Sequence, residues 1–315
     1  MQLLPRLLSL VATLITAAAA HAGPVSLGLD PSLNLLAFGN MNVGSSDVEG
    51  RVAVGGNASI NGYSINTKTG SGALYGGTGL TVGGSLAFTN GSIWGGAVVG
   101  GSYAANNSGN VIGGVSSGQG FAFASEKQRL GTLTTTLDAL SNTGNVVDQW
   151  STLHFDATGQ MLAVFDILAA DALKNMQIDG LGDGAQILIN IHGSFVDFGN
   201  HGYTGFAKGQ VLFNLPEATG IALNGGINAS LLAVNASVGQ GRGQINGQVV
   251  VKDWNSSVQV NDAPLRPVFS SVASLNGTAA QRLPEPASVA LVALGLIAVG
   301  LARHRRPRIA YRSIA

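Results

Sequence analysis

Asp47, Glu49 and Arg51 stand at alternate positions in "SSDVEGRVAV", while Val48, Val52 and Val54 hold the opposite parity. On one extended strand such carboxylates would share a face about 7 Å apart, with a guanidinium beside them. Inverting glycosidases hold their acid and base about 6.5–9.5 Å apart, so acid/base work on a sugar is the chemistry this trio would serve. A solvated face on which Arg51 neutralises its neighbours explains the same spacing without any chemistry, and we prefer it. Asp179-Gly180-Leu181-Gly182-Asp183-Gly184 resembles a calcium loop, but the twelfth position is Asn190 where an EF-hand needs Glu. Asp-Gly pairs make turns without metal, and a turn is expected here. His154, His192 and His201 fall in no zinc-binding spacing, and neither a G-x-S-x-G elbow nor a complete phosphate loop occurs. The expectation is no catalytic residue, no metal site and no cofactor, hence no enzyme.

The two ends are more informative. Arg6 precedes an apolar run from Leu7 to Ala20, and Ala20-His21-Ala22 offers an A-x-A cleavage site. This predicts a secretory signal peptide over 1–22, cut after Ala22 by signal peptidase. At the other end Pro284-Glu285-Pro286 breaks the chain before an apolar stretch, Val289 to Ala302. Its 14 residues span about 21 Å as helix, short for a bilayer. Arg303, Arg305, Arg306 and Arg308 follow as membrane-flanking cations, which mark the cytoplasmic side. This order resembles the PEP-CTERM sorting signal of Gram-negative bacteria, with Leu283 where that family often has valine. The resemblance implies recognition by an exosortase, a membrane transpeptidase tied to exopolysaccharide systems, and a helix that serves as a transient tether.

Between the ends, residues 23–282 carry ten basic and 15 acidic side chains, a net charge of −5. An acidic body without a basic patch is a poor nucleic-acid binder. Zero cysteine excludes disulfides and thiolate metal sites. Glycine numbers 46 of 315 residues and charged residues are only 10%, the composition of a turn-rich β protein.

Echoes run through this body. Val54-Gly55-Gly56 returns at Val82-Gly83-Gly84 and Val99-Gly100-Gly101, and Asn61-Gly62 returns as Asn90-Gly91. Asn246-Gly247 precedes another run of valines. Short β runs between such turns suit either a hairpin-linked sandwich or a stacked solenoid. Unequal repeat lengths favour the solenoid. "FASEKQRLGTLTTTLDALSN" (123–142) breaks the pattern: Leu130, Leu133, Leu137 and Leu140 recur at helical spacing, and Ser125 with Gln128 reads as a capping box. A helix along the solenoid's flank is expected. "QILINIHG" then alternates, with Ile187, Ile189 and Ile191 on one face.

"FGNMNVGSSDVEGRVAVGGNASINGYSI" and the closing "VLFNLPEATGIALNGGINASLLAVNASVGQGRGQINGQVVVKDW" resemble the choice-of-anchor A domain, over roughly residues 28 to 262. That resemblance implies a β-helical domain with a packed helix, worn on the cell surface, and carries over no catalytic residues.

The expected fold is mainly β: a right-handed β-helix with one long packed α-helix, a signal peptide and a C-terminal transmembrane sorting helix. The expected organisation is 1–22 signal peptide, 23–262 β-helical domain, 263–282 linker and 283–308 sorting signal, with the membrane stretch at 288–302 and the basic tail at 303–308. The expected function is that of an exported surface or matrix protein, structural or adhesive, associated with exopolysaccharide or biofilm. A polysaccharide lyase or hydrolase is the alternative. Ice binding ranks last, because Thr67, Thr69, Thr78, Thr81 and Thr89 keep no rung spacing.

Overall fold

The computed structural model describes residues 25–68 and 77–266. The nine strands β1 (Leu33–Ala37), β2 (Met41–Val48), β3 (Arg51–Val54), β4 (Ala58–Ile65), β5 (Thr78–Val82), β6 (Leu86–Ile93), β7 (Gly96–Val99), β8 (Tyr103–Val111) and β9 (Val115–Ser117) come first. Helix α1 (Phe123–Asp138) follows, then β10 (Val146–Gln149), β11 (Thr152–Asp156), β12 (Leu162–Leu168), β13 (Asn175–Asp179) and β14 (Gln186–His192). The remainder are β15 (Phe195–Phe198), β16 (Tyr203–Thr204), β17 (Val211–Asn214), β18 (Gly220–Leu223), β19 (Ser230–Val238), β20 (Gln244–Asn246), β21 (Val249–Trp254) and β22 (Gln259–Asn261).

Pairing makes this a three-sided parallel solenoid. One side is a ladder in the order β12, β14, β17, β19, β21, β1, β3, β5, β7, β9, with every pair parallel. A second side runs through β15, β18, the later parts of β19 and β21, and the first halves of β2, β4, β6 and β8. The third holds β20, β22 and the second halves of β2, β4, β6 and β8, with β11, β13 and β16 as its counterpart lower in the stack. Among the described residues β10 with β11 is the one antiparallel pair.

The glycine echoes are the register of this stack. Val54 pairs with Val82 and Val82 with Val99, so the repeats are successive coils rather than hairpins. Asn61-Gly62 and Asn90-Gly91 are corners at which a strand bends from the second side to the third; Gly62 and Asn90 have φ of 70° and 54°. Gly83 is required for a different reason: a Cβ there would lie 2.4 Å from the Gly55 carbonyl oxygen of the coil below.

The chain does not climb from one end to the other. β1 sits in the middle of its ladder, between β21 and β3. Coils grow from it to β9, α1 carries the chain back, and β12 to β21 return to the seam. At 16 residues α1 is about 24 Å long, roughly five strand spacings.

Two layers of apolar contact follow. Inward side chains such as Val43, Ile60, Phe88, Phe165, Ile189, Phe213 and Trp254 form the solenoid core. Leu130 and Leu137 of α1 form a second core with outward side chains of the first ladder, among them Leu36, Leu188, Leu212, Leu232 and Val250. Thus Ile187, Ile189 and Ile191 do share the inner face, but Leu188 opposite them is buried as well. Strands covered on both faces read as unbroken apolar runs, as in the three valines that open β21.

The helix departs from expectation at its ends. It stops at Asp138, and Ser125 lies inside the first turn, donating its hydroxyl to the Ala122 carbonyl. No side chain caps the N-terminus, so the capping box does not form. Instead a buried polar rung fixes the far end. The Thr134 hydroxyl donates to Asn214 Oδ1 at 3.0 Å, Asn214 Nδ2 donates to the Thr134 carbonyl and to Asn190 Oδ1, and Asn190 Nδ2 donates to Asp166. Among the described residues no helix is long and apolar enough to cross a membrane; the expected membrane stretch lies outside them.

Candidate binding face

The helix leaves the second side of the upper coils uncovered. Asn42, Ser59, Ala87 and Ala104 are register partners in β2, β4, β6 and β8, all exposed. Gly44, Asn61, Thr89 and Asn106 form the next row. Parallel strands set such rows about 4.8 Å apart across the sheet and about 6.6 Å apart along it. An open groove of about 370 Å³ runs along the first row.

A hydrogen-bonded corner borders this face. Asn40 Oδ1 accepts the Asn57 N–H at 2.9 Å, Asn57 Oδ1 accepts the Ser85 N–H at 2.8 Å, and Ser85 Oγ accepts the Ser102 N–H at 3.1 Å. Below them Asp253 Oδ1 accepts the Asn40 N–H at 2.8 Å across the seam, and the Ser237 hydroxyl donates to Asp253 Oδ2. Each side chain thereby supports the backbone of the next coil. The stacked Asn and Ser residues were visible in sequence only as scattered polar positions; the 17- and 28-residue offsets between them were the available signal.

The acidic trio does not assemble. Asp47 is in β2, Glu49 is in the turn after it and Arg51 opens β3, so a corner separates them. The Thr67 hydroxyl donates to Asp47, Glu49 accepts the Asp262 N–H at 2.8 Å, and Arg51 pairs with Asp30 at 3.2 Å. Arg51 therefore neutralises Asp30 and not the two carboxylates expected. Asp179 ends β13, bonded to Gln177 and to His154 Nδ1 at 3.1 Å; the Gln177 amide, aided by His154, holds its carboxyl below the usual range despite burial. Asp183 lies in an exposed turn closed by the Ala185 N–H on the Gly182 carbonyl. His201 donates Nε2–H to the Ala172 carbonyl and stacks by Tyr203.

One mixed cluster was not anticipated. His192 lies 3.7–3.8 Å from carboxylates of Asp138, Asp166 and Glu217, where the end of α1 meets β12 and β14. Beside it Lys174 bridges Asp148 and Asp171, each at 2.7 Å, around a cavity of about 330 Å³. Among the described residues no set of three or more His, Asp or Glu side chains is arranged to hold a metal ion.

Among the described residues the threonines form no column. Thr67 bonds Asp47, Thr81 is buried on the helix-covered side, and Thr89 is on the open face. The cleavage-site residues Ala20 and Ala22, the Pro284-Glu285-Pro286 motif and the four flanking arginines lie outside the described residues.

Comparison with known proteins places both parts of the chain. The PEP-CTERM protein-sorting motif matches residues 283–306, which implies export, exosortase processing and sorting to the surface of a Gram-negative cell. Among solved structures, an ice-binding protein from the Antarctic ascomycete Antarctomyces psychrotrophicus aligns over 79% of this chain and 100% of its own, at 12% identity and a TM-score of 0.34. No curated protein matches the chain. The family described as "Putative Ice-binding-like adhesive domain" matches residues 32–262, nearly the whole solenoid. The chain belongs to this ice-binding-like adhesive domain family.

Proposed function

We propose that this protein is a non-enzymatic adhesin of the bacterial surface or matrix, holding hydroxyl-rich polymer, exopolysaccharide above all, on the open face of β2, β4, β6 and β8. Its sorting helix tethers it only until an exosortase removes it, and the body is of the choice-of-anchor A kind. The winding is right-handed, as connections between parallel strands overwhelmingly are. The observation that carries the reading is the face itself: a regular array of Asn, Ser, Thr and Ala without a charge, backed by a hydrogen-bonded corner. Such an array meets a repeating neutral polymer with donors and acceptors at fixed intervals and no desolvated charge. The non-enzymatic reading is supported by the hydrogen bonds in which Asp47 and Glu49 are each engaged in holding the fold.

The exported protein is expected to co-sediment with its host's exopolysaccharide. Ser59→Tyr and Ala87→Tyr, which raise bulk on the open face, are expected to weaken that binding at least about tenfold without changing the circular dichroism. If the protein instead degrades the polymer and Asp47→Ala/Glu49→Ala does not, the enzymatic alternative is right. Ice is the second reading, favoured by the regular uncharged rows together with the family to which the solenoid belongs. Measurable thermal hysteresis, abolished by Ala87→Tyr, with no polymer binding, would select it.

A further inference from the structure

The solenoid's two ends are finished differently. At the lower end Thr143 caps β12 by accepting the Val164 N–H on its hydroxyl and donating its own N–H to the Val164 carbonyl. β10 covers β11, and Asp148, Asp171 and Lys174 gather there as charges. Charged side chains and covering segments are the usual protection of a sheet edge.

Among the described residues the upper end has neither. β8 pairs only with β6 and β9 only with β7, so among the described residues both present an outer edge without a strand partner. Tyr103 continues the column of Leu86, and Val115 that of Ala97. With no coil above them these core positions stay open: Tyr103 is 39% and Val115 38% exposed. The segment after β9 does not close the end, because Gly120 runs against Thr81 and Val98 on the flank. From Thr69 to Ser125 the sequence contains no Asp, Glu, Lys, Arg or His. Terminal coils of solenoids ordinarily need a polar cap to stay soluble.

We infer that the coil of β8 and β9 is a self-association surface, joined end to end with the same coil of a second copy of this chain. A two-fold axis in the plane of the coil sets the strand it crosses antiparallel to its own copy, supplying the missing ladder. An isologous contact brings like residues together, so any charge would be repelled by its twin; the uninterrupted neutral stretch removes that cost. An isologous contact uses the same patch on both copies, so this association closes at two and does not propagate. The chain leaves the domain far from this surface: the Arg266 N–H bonds the Gly209 carbonyl, and Gln186, at the start of β14, joins Val25 to Arg266. β14 and β9 are eight strand spacings apart, about 38 Å, so the described chain ends well away from the open coil.

Sedimentation equilibrium of the exported protein purified from its own cells tests this. A dimer is expected, with a dissociation constant of about 10 μM or tighter. Ala105→Lys and Val115→Lys, each placing a charge in an exposed core column of the last coil, should yield monomers with unchanged circular dichroism. Ser59→Lys, on the open face, should remain dimeric. A parent protein that is monomeric at about 100 μM would overturn the inference, as would a dimer that survives both coil variants.

Discussion

Asp253 shows how single polar residues hold this molecule. Burial opposes its charge, but the Asn40 N–H, the Ser237 hydroxyl and nearby Lys252 together hold its carboxyl below the ordinary range. A depressed folded pKa contributes stability that is present above the unfolded value, about 3.9, and lost as pH falls through the folded one. Asp253→Asn is therefore expected to lower the melting temperature at pH 7, with the gap from the parent narrowing below about pH 4. Thermal unfolding followed from pH 7 to pH 2 checks this; a gap independent of pH would show that Asp253 acts through packing alone. The glycines and the acidic trio were legible in sequence to different degrees. Val-Gly-Gly repeats carried their own meaning, because backbone crowding is the same in each coil. Asp47, Glu49 and Arg51 did not, because alternation describes a strand and gives no warning of the corner at Gly50.

At the level of elements, α1 is held by tertiary contacts and not by its own propensity. Gly131, Thr134, Thr135 and Thr136 are weak helix formers, and no N-cap side chain helps. The leucine stripe predicted the helix and its buried face correctly. The second support, the rung of Asp166, Asn190, Asn214 and Thr134, depends on strands 24 residues apart being in register, which local spacing cannot reveal. Asn214→Ala would leave Asn190 and Thr134 short of partners in a dry interface, at about 1–3 kcal/mol for each unsatisfied group. Urea unfolding of the variant should show that loss. A change under about 0.5 kcal/mol would mean that water or a relaxed helix replaces the rung.

The solenoid is two stacks sharing one ladder, and its cooperativity depends on the seam. Asn34, buried in β1, donates from Nδ2 to the Gly247 and Asn261 carbonyls and accepts the Gly50 N–H. It thereby joins the first coil of one stack to the last coil of the other. In a solenoid, stability is roughly the sum of coil terms and nearest-neighbour interfaces, so a weakened interface lets the stacks melt apart. Asn34→Ala is expected to convert a single unfolding transition into two, seen by calorimetry. One sharp transition in the variant would show that the apolar contacts of the seam suffice.

The sequence by itself determined the sorting address at the C-terminal end, the β composition, the coil grammar of Val-Gly-Gly and Asn-Gly, and the presence of one leucine-striped helix. Each is written in neighbouring residues, as periodicity, turn chemistry or an ordered motif. Only the tertiary structure decided that β1 enters mid-stack, that α1 covers the first side and leaves the second open, and that one end is capped while the other is bare. Those outcomes rest on which distant strand edges pair. Every parallel edge offers nearly the same backbone hydrogen bonds, so the choice among them is made by the summed burial of the assembled coils.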